Sequence, residues 1–473
     1  MKKRVSLIVL LVLLCCNIFA KDAKYVFYFI GDGMGVNQVQ GTELFQGEIN
    51  GYIGISPLCF TQFPYSTVAT TFSATNGVTD SAAAGTALAT GHKTKNGAIG
   101  VLKDLKTPVY SIATWAKDAG SKVGVATSVS IDHATPAAFY AHEGSRGSYY
   151  NIGANLYKAG FDFYAGSDFL EPLNPKNKEA KSLYNMADEY GYKIARGYNE
   201  YKEKSKETSK IILFQPEKDS SKDRSSIPYA IDSNESNLTL EKITASAIDF
   251  LTKNKEDRFF LMVEGGKIDW ACHANDAATA LREIQDFDNA IKLAYKFYEQ
   301  HPDETLIVVT ADHETGGFVL GTGAYKLNLS ILENQKVSES KFTEKIKELR
   351  ENTGNKVAWE DVKSELRKYF GFWDKIELNE KQEERLKNVY EKTIRKGEGK
   401  LMESEYSKDE AISAEAKRII NEMALVGWTS GDHSAGYVPV FAIGAGAENF
   451  CGRIDNTDIP KKIAKAAGYN ISK

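Results

Sequence analysis

Cysteine is scarce in this 473-residue chain: of five, Cys15 and Cys16 fall in the leading apolar run, which leaves Cys59, Cys272 and Cys451 for the rest. An odd number in so long a chain excludes a disulfide framework as the staple of the fold. Long hydrophobic runs are equally scarce. The one from Val5 to Cys16 is too short for a comfortable membrane span. Preceded by Lys2, Lys3 and Arg4 and followed by a cleavage context at Ala20, it reads as a signal peptide over residues 1–20. A lipid anchor at Cys15 or Cys16 is the alternative, which the bulky leucines before them suit poorly. The expectation is an exported protein, periplasmic or secreted, without a membrane span. Excess positive charge is also lacking. The formal charge is −4, and loss of the three basic leader residues takes it to −7, which argues against nucleic acid as a specific partner. Internal repeats and a low-complexity tail are absent too.

What is present is alternation. Short runs rich in branched and aromatic residues, Tyr25–Ile30, Lys122–Thr127, Ile211–Phe214, Phe259–Val263, Leu306–Thr310 and Tyr437–Ile443, read as strands. Between them lie helical patterns at Pro108–Ala119, Thr239–Thr252 and Ala277–Glu299. This alternation predicts an α/β layered sheet, in which ligands bind beyond the carboxyl ends of the strands. Asp32, Glu264 and Asp312 each sit at such a predicted strand end. From Lys326 to about Met423 the texture turns to Lys- and Glu-rich amphipathic helix, broken near Gly354, Gly371 and Gly397 and without obvious metal ligands. It reads as a helical insertion at about 326–423, not a catalytic module. The stretch Asn174–Ser236 is polar and reads as peripheral. Length alone favours two to four domains at roughly 150 residues each. The scatter of ligand-type residues from Asp32 to His433 favours one domain over 21–473 with insertions.

Those residues carry the chemistry. Ser81, in Val78-Thr79-Asp80-Ser81-Ala82-Ala83-Ala84-Gly85-Thr86, stands before a run of small residues that lets a helix start close against its neighbours. A serine hydroxyl is a weak nucleophile and needs a base, a lowered pKa or a metal to activate it. Asp269 and His273 are four apart, so on a helix they share a face and can clasp one ion. Asp312 and His313 adjoin a strand end, and His433 lies in a Gly- and Ala-containing loop. Asp80 reads as orienting Arg146 or the Ser81 loop, or as capping the helix that follows. Cys272 reads as a small buried hydrophobe, His92 and His142 as structural, and His301, beside Pro302, as solvated. Gly31–Gly35 lacks the spacing of a dinucleotide fingerprint, and His92 interrupts a phosphate-loop pattern in Gly85–Thr94, so both nucleotide motifs are rejected.

Taken together, these motifs resemble the alkaline phosphatase family. The likeness runs through Tyr25–Gly35, Val78–Thr94, Ala126–Arg146, Met262–Asn275, Thr310–Gly317 and Val426–Ile454, and leaves out the helical insertion. It implies a three-layer α/β/α sandwich around a large, mostly parallel sheet, and a homodimer. It implies one Zn²⁺ on Asp269, His273 and His433, and a second on Asp32, Asp312 and His313 near Ser81. It also implies one Mg²⁺ on Asp32, Thr135 and Glu264, with His133 close by, and a phosphate grip by Arg146. A guanidinium fork matches two phosphate oxygens, and a hard cation prefers oxygen ligands.

The activity so implied is hydrolysis of small phosphate monoesters through a phosphoserine. A phosphodiesterase or sulfatase on the same scaffold is the nearest rival, since fold does not fix reaction. Arg146 favours a monoester, and the Ala-Ala-Ala-Gly run after Ser81 lacks the proline and arginine by which sulfatases resemble one another. A non-catalytic exported binder of metal or phosphate leaves Ser81 and Arg146 without purpose. One branch of the family has an aspartate where this chain has His133 and a lysine where it has Trp270. The resemblance therefore implies a weaker magnesium site and looser phosphate binding here, with Trp270 packing on a loop or bordering the substrate.

Overall fold

Tyr25–Gly31 is buried at every position, so it has to lie inside a sheet that is covered on both faces. The computed structural model describes residues 22–254, 257–323 and 325–471, and the expected signal peptide and both of its cysteines lie outside these. Among the described residues the main sheet has ten strands. They are β1 (Tyr25–Gly31), β2 (Tyr65–Thr70), β3 (Lys122–Thr127), β4 (Phe163–Gly166), β5 (Lys193–Arg196), β6 (Ile211–Phe214), β7 (Phe259–Gly265), β8 (Thr305–Thr310), β9 (Val438–Gly444) and β10 (Ile454–Asp455). Their order is β10-β2-β9-β8-β1-β7-β3-β4-β6-β5. All neighbours run parallel except β9, which is antiparallel to both β2 and β8.

Register then brings the strand ends level. Ile30 pairs with Glu264 on one side and Thr310 on the other, and Thr127 pairs with Glu264. Asp32 and Asp312, each two residues beyond this row, therefore leave adjacent strands at one edge of the sheet, beside Glu264. The reversed direction of β9 puts its amino end at that same edge, so the segment carrying His433 arrives there as well.

Helices Leu240–Leu251 and Ala277–Gln300 pack together on the sheet, with Val36–Ile49 against the latter, and Ser81–Thr90, Ile112–Asp118 and Asp458–Ala467 form a second set, packed with one another. The longest buries Leu281, Ile284, Phe287, Ile291 and Ala294, a stripe at helical spacing. Three of the apolar readings needed an extra residue or two at their ends, and the helix expected from Pro108 starts only at Ile112, capped by Ser111, whose Oγ accepts from Thr114 N at 3.2 Å. Strands β2, β4, β5 and β10 were not anticipated. They are short, or half-exposed with a polar pattern that local reading takes for loop. The stretch read as peripheral thus supplies edge strand β5. His301 is also corrected: it is half-buried, with its ring 4.8 Å from that of Phe297 and 5.4 Å from that of Tyr25.

Residues 329–424 carry four α-helices, Glu339–Asn352, Trp359–Phe370, Glu380–Val389 and Ala411–Ala424, around an apolar cluster of their own. Phe342, Leu366, Phe370 and Ile419 are wholly buried in it, and Phe45, Ala278 and Leu281 join it to the helices beside the sheet. The short pairing of Phe318–Leu320 with Val426–Trp428 closes the base of the segment.

Candidate active site

Four carboxylates converge beyond the strand ends: Asp32, Glu264, Asp269 and Asp312, all wholly buried. Burying that much negative charge is costly unless something compensates it. Burial first, then the neighbouring Asp312 and Asp269, pushes the Asp32 carboxyl far up. For the same two kinds of reason Asp312 is raised to about 7 and Glu264 to about 8. Asp269 goes the other way. Burial opposes its ionisation, but His273, His433 and His313 around it hold it well below the usual range, and His273 is correspondingly raised to about 9 against its own burial.

The imidazoles are aimed from outside. His273 Nδ1 donates to the Gly431 carbonyl at 2.5 Å and His433 Nδ1 to the Thr79 carbonyl at 2.9 Å, so each turns Nε2 inward. The two Nε2 atoms meet at 3.1 Å, with Asp269 Oδ2 at 3.3 Å from the first and Oδ1 at 3.7 Å from the second. His313 Nε2 lies 3.2 Å from Asp312 Oδ2, 3.5 Å from Asp32 Oδ1 and 3.2 Å from Ser81 Oγ. Thr135 Oγ1 is 3.5 Å from Asp32 Oδ2, and the Thr127 hydroxyl donates to Glu264.

Ser81 opens the helix Ser81–Thr90, which is buried along its whole length. A Cβ on Gly85 would sit 3.2 Å from Thr135 Cα, so the small-residue run does let this helix close on its neighbour. Gly33 meets the same constraint inside the site. It has φ +70, and a Cβ there would come within 2.8 Å of Asp269 Cα. Asp80 performs both of its anticipated roles. One oxygen caps the helix through Ala83 N at 3.0 Å; the other accepts from Gly97 N at 3.0 Å and lies 3.3 Å from Arg146 Nη1. Arg146 Nη2 is 3.3 Å from His133 Nε2. Burial, then Arg146, lowers His133 to about 3, so this imidazole is neutral.

A family model for alkaline phosphatase matches residues 23–165 and 174–469 of the chain. The chain belongs to the alkaline phosphatase family. Alkaline phosphatase 4 of Bacillus subtilis (strain 168) is 33% identical over 454 residues, which is 94% of this chain and 88% of that protein. The cold-active alkaline phosphatase of a psychrophilic Shewanella sp. superposes with a TM-score of 0.77 at 30% identity, over 94% of this chain and 99% of that one. An alkaline phosphatase from the Antarctic bacterium TAB5, in a variant with aspartate for one histidine, was solved with magnesium in its M3 site. It gives a TM-score of 0.66 at 27% identity, over 95% of this chain and 99% of its own. Hydrolysis of phosphate monoesters is accordingly the reaction class of this enzyme.

The geometry suits the metal dependence of the family. Asp32, Asp312 and His313 form one group of potential ligands, Asp269, His273 and His433 a second, and Asp32, His133 and Glu264 a third, the ligand atoms within each lying within 4.8 Å of one another. Asp32 Oδ1, Glu264 Oε1 and Asp312 Oδ2 are buried without a hydrogen-bond partner, and Asp269 Oδ2 has only the His273 imidazole beside it. Carboxylate oxygens left so at the centre of a well-packed protein fit cations. The first two groups coincide with the two sets read from sequence. Thr135 stands beside the third.

Three contributors escaped the sequence reading. Thr315, buried, donates to Asp269 Oδ1 at 2.5 Å and lies 3.2 Å from His313 Nδ1, so one hydroxyl joins two of the groups. Only its nearness to Asp312–His313 could have flagged it. The other two come from the insertion, read as outside the catalytic apparatus. Glu405 Oε2 is 3.6 Å from His273 Nε2, and the Tyr406 ring stacks on Trp270 at 4.4 Å and 9°. Nothing local in the sequence marks them, because their partners lie more than a hundred residues away in the chain. Trp270 therefore does pack on a loop, and that loop borders the site. Cys272 is buried and free.

Proposed function

We propose that this phosphatase works through a phosphoserine at Ser81, in a centre that takes two zinc ions and one magnesium ion. The observation that carries the reading is the ring of orphaned, buried carboxylate oxygens around a serine whose Oγ already lies 3.2 Å from His313 Nε2. Asp269, His273 and His433 would hold one zinc, and Asp32, Asp312 and His313 the other. Asp32, Thr135 and Glu264 would hold magnesium, with His133 alongside. Bound there, the ions would supply positive charge that favours ionised Ser81 and a departing alkoxide.

The side chains do the rest. Arg146, fixed by Asp80, grips two phosphoryl oxygens and offsets the charge that builds on them. Ser81 Oγ, its proton lost to water, bonds to phosphorus as the ester P–O bond breaks. The electron pair of that bond leaves with the alcohol oxygen, which takes up a proton from water. Water then attacks the phosphoserine, releasing inorganic phosphate and restoring the Ser81 hydroxyl. Trp270 borders the substrate. The magnesium held by the TAB5 variant with aspartate for a histidine supports a weaker magnesium site here, where His133 stands at the third group. Export by residues 1–20 and assembly as a homodimer belong to the same reading.

The test compares a chromogenic phosphate monoester, the matching diester and a sulfate ester, with and without a chelator. Chelator-sensitive turnover of the monoester, well above the other two, is expected. Ser81→Ala should lower that turnover by orders of magnitude while zinc content stays the same. Near-normal turnover in this variant would remove Ser81 from the mechanism.

A further inference from the structure

The inserted segment sends one two-stranded hairpin, Met402–Glu403 against Lys408–Asp409, towards the catalytic centre. Its turn is closed by Ser404 and Ser407, with Ser404 N donating to the Ser407 carbonyl at 3.0 Å and Ser407 N to Ser404 Oγ at 3.2 Å. Such a closed turn holds Glu405 and Tyr406 at the tip. The Tyr406 side chain meets four residues of the site. It stacks on Trp270, presents its edge to His273 at 5.4 Å and to His133 at 5.9 Å, and brings its hydroxyl to 3.5 Å from Arg146 Nη2. Neither Tyr406 nor Trp270 belongs to either apolar core cluster. Both also line a polar cleft of about 480 Å³, shared with Lys267, Ser226 and Asp409, so the ring is not filling an apolar interior.

The hydroxyl has one duty left open. Arg146 can only donate, so Tyr406 Oη accepts from it, and among the described residues the Tyr406 O–H has no acceptor of its own. We propose that Tyr406 is a phosphate-binding residue, donating this hydrogen to a phosphoryl oxygen of the group that Arg146 grips. The inserted hairpin is then part of the substrate site. The proposal rests on the reading of Arg146 as the phosphate grip.

The test is binding of inorganic phosphate to the zinc- and magnesium-loaded enzyme by calorimetry, alongside steady-state kinetics on a chromogenic monoester. Tyr406→Phe keeps the ring and its stack and removes only the hydroxyl. It should weaken phosphate binding and raise KM about tenfold, the order expected for a lost hydrogen bond to a charged group, with kcat changed less than about threefold. Metal content and the tryptophan emission spectrum should match the wild type, which separates loss of the hydroxyl from loss of the fold. Tyr406→Ala should weaken phosphate further and shift the emission as Trp270 loses its partner. Phosphate bound by Tyr406→Phe as tightly as by the wild type overturns the proposal. Arg146→Ala run in parallel keeps the two readings apart: if it too binds phosphate like the wild type, the grip assigned to Arg146 falls with the proposal, whereas a weakened Arg146→Ala beside an unaffected Tyr406→Phe removes Tyr406 alone.

Discussion

Thr315 shows how one hydroxyl can couple two clusters. Its O–H is committed to Asp269 Oδ1 at 2.5 Å, so towards His313 Nδ1, 3.2 Å away, it can act only as an acceptor. His313 is thereby held in the tautomer that turns Nε2 towards Asp312 and Asp32, and Asp269 keeps Oδ2 free for His273. Outer partners of this kind typically contribute 10–100-fold to metal affinity. Thr315→Val should therefore weaken zinc binding at both groups by about that factor, and Thr315→Ser should restore it. Competition against a chromogenic chelator measures this directly. Two zinc ions held at wild-type strength in the valine variant would show that Thr315 merely fills space.

The Ser81 helix owes its start to Asp80, which serves the element and the site with different oxygens. Oδ1 caps the helix at Ala83 N, and Oδ2 anchors Arg146. The two functions can be separated by substitution. Asp80→Ala loses both and should cost roughly 1–2 kcal/mol of stability, read by thermal or urea unfolding. Asp80→Asn keeps a good cap without the charge, so most of that stability should return while phosphate binding stays weaker than in the wild type. An alanine variant as stable as the wild type would mean that the cap contributes nothing. The same economy appears in β9, where strand direction is the deciding property. Because it runs antiparallel to β8, the loop before it, and with it His433, reaches the edge where the parallel strands end.

Across the molecule, the carboxylate cluster links folding to metal and pH. In the metal-stripped protein Asp312 is raised to about 7 and Glu264 to about 8, chiefly by burial, and His273 is raised to about 9, where Asp269 outweighs burial. Above pH 7 the folded state thus holds more protons at these groups than the unfolded chain does, so their contribution to stability falls as pH rises to about 9. Cations bind the deprotonated forms and release those protons. The gain in Tm on adding zinc and magnesium to stripped protein should consequently grow from pH 7 to pH 9. Taking the difference at each pH cancels groups remote from the centre. A gain that stays level or shrinks over that range would show that these three groups are not what the metals engage.

Residues near one another in sequence disclosed much of this. The central strands were legible because β1, β7 and β8 are buried on both faces and so read as unbroken apolar runs. Asp269 and His273 were legible because helical spacing alone puts them together, and the family motifs brought Ser81, Asp312–His313, His433 and Arg146 into one set. What only the tertiary structure decided was the company these residues keep. Thr315 gained its role because the short strand Glu314–Thr315 beyond β8 packs against the helix Lys267–His273 that carries Asp269, and Asp80 met Arg146 across 66 residues of chain. Tyr406 reached Arg146 across 260 residues, from a segment whose Lys- and Glu-rich texture reads as a solvated helical surface. Periodicity records which face a residue shows to the interior, but not which distant side chain waits there. That contact is set by strand order and by how the hairpin of the insertion folds back over the site.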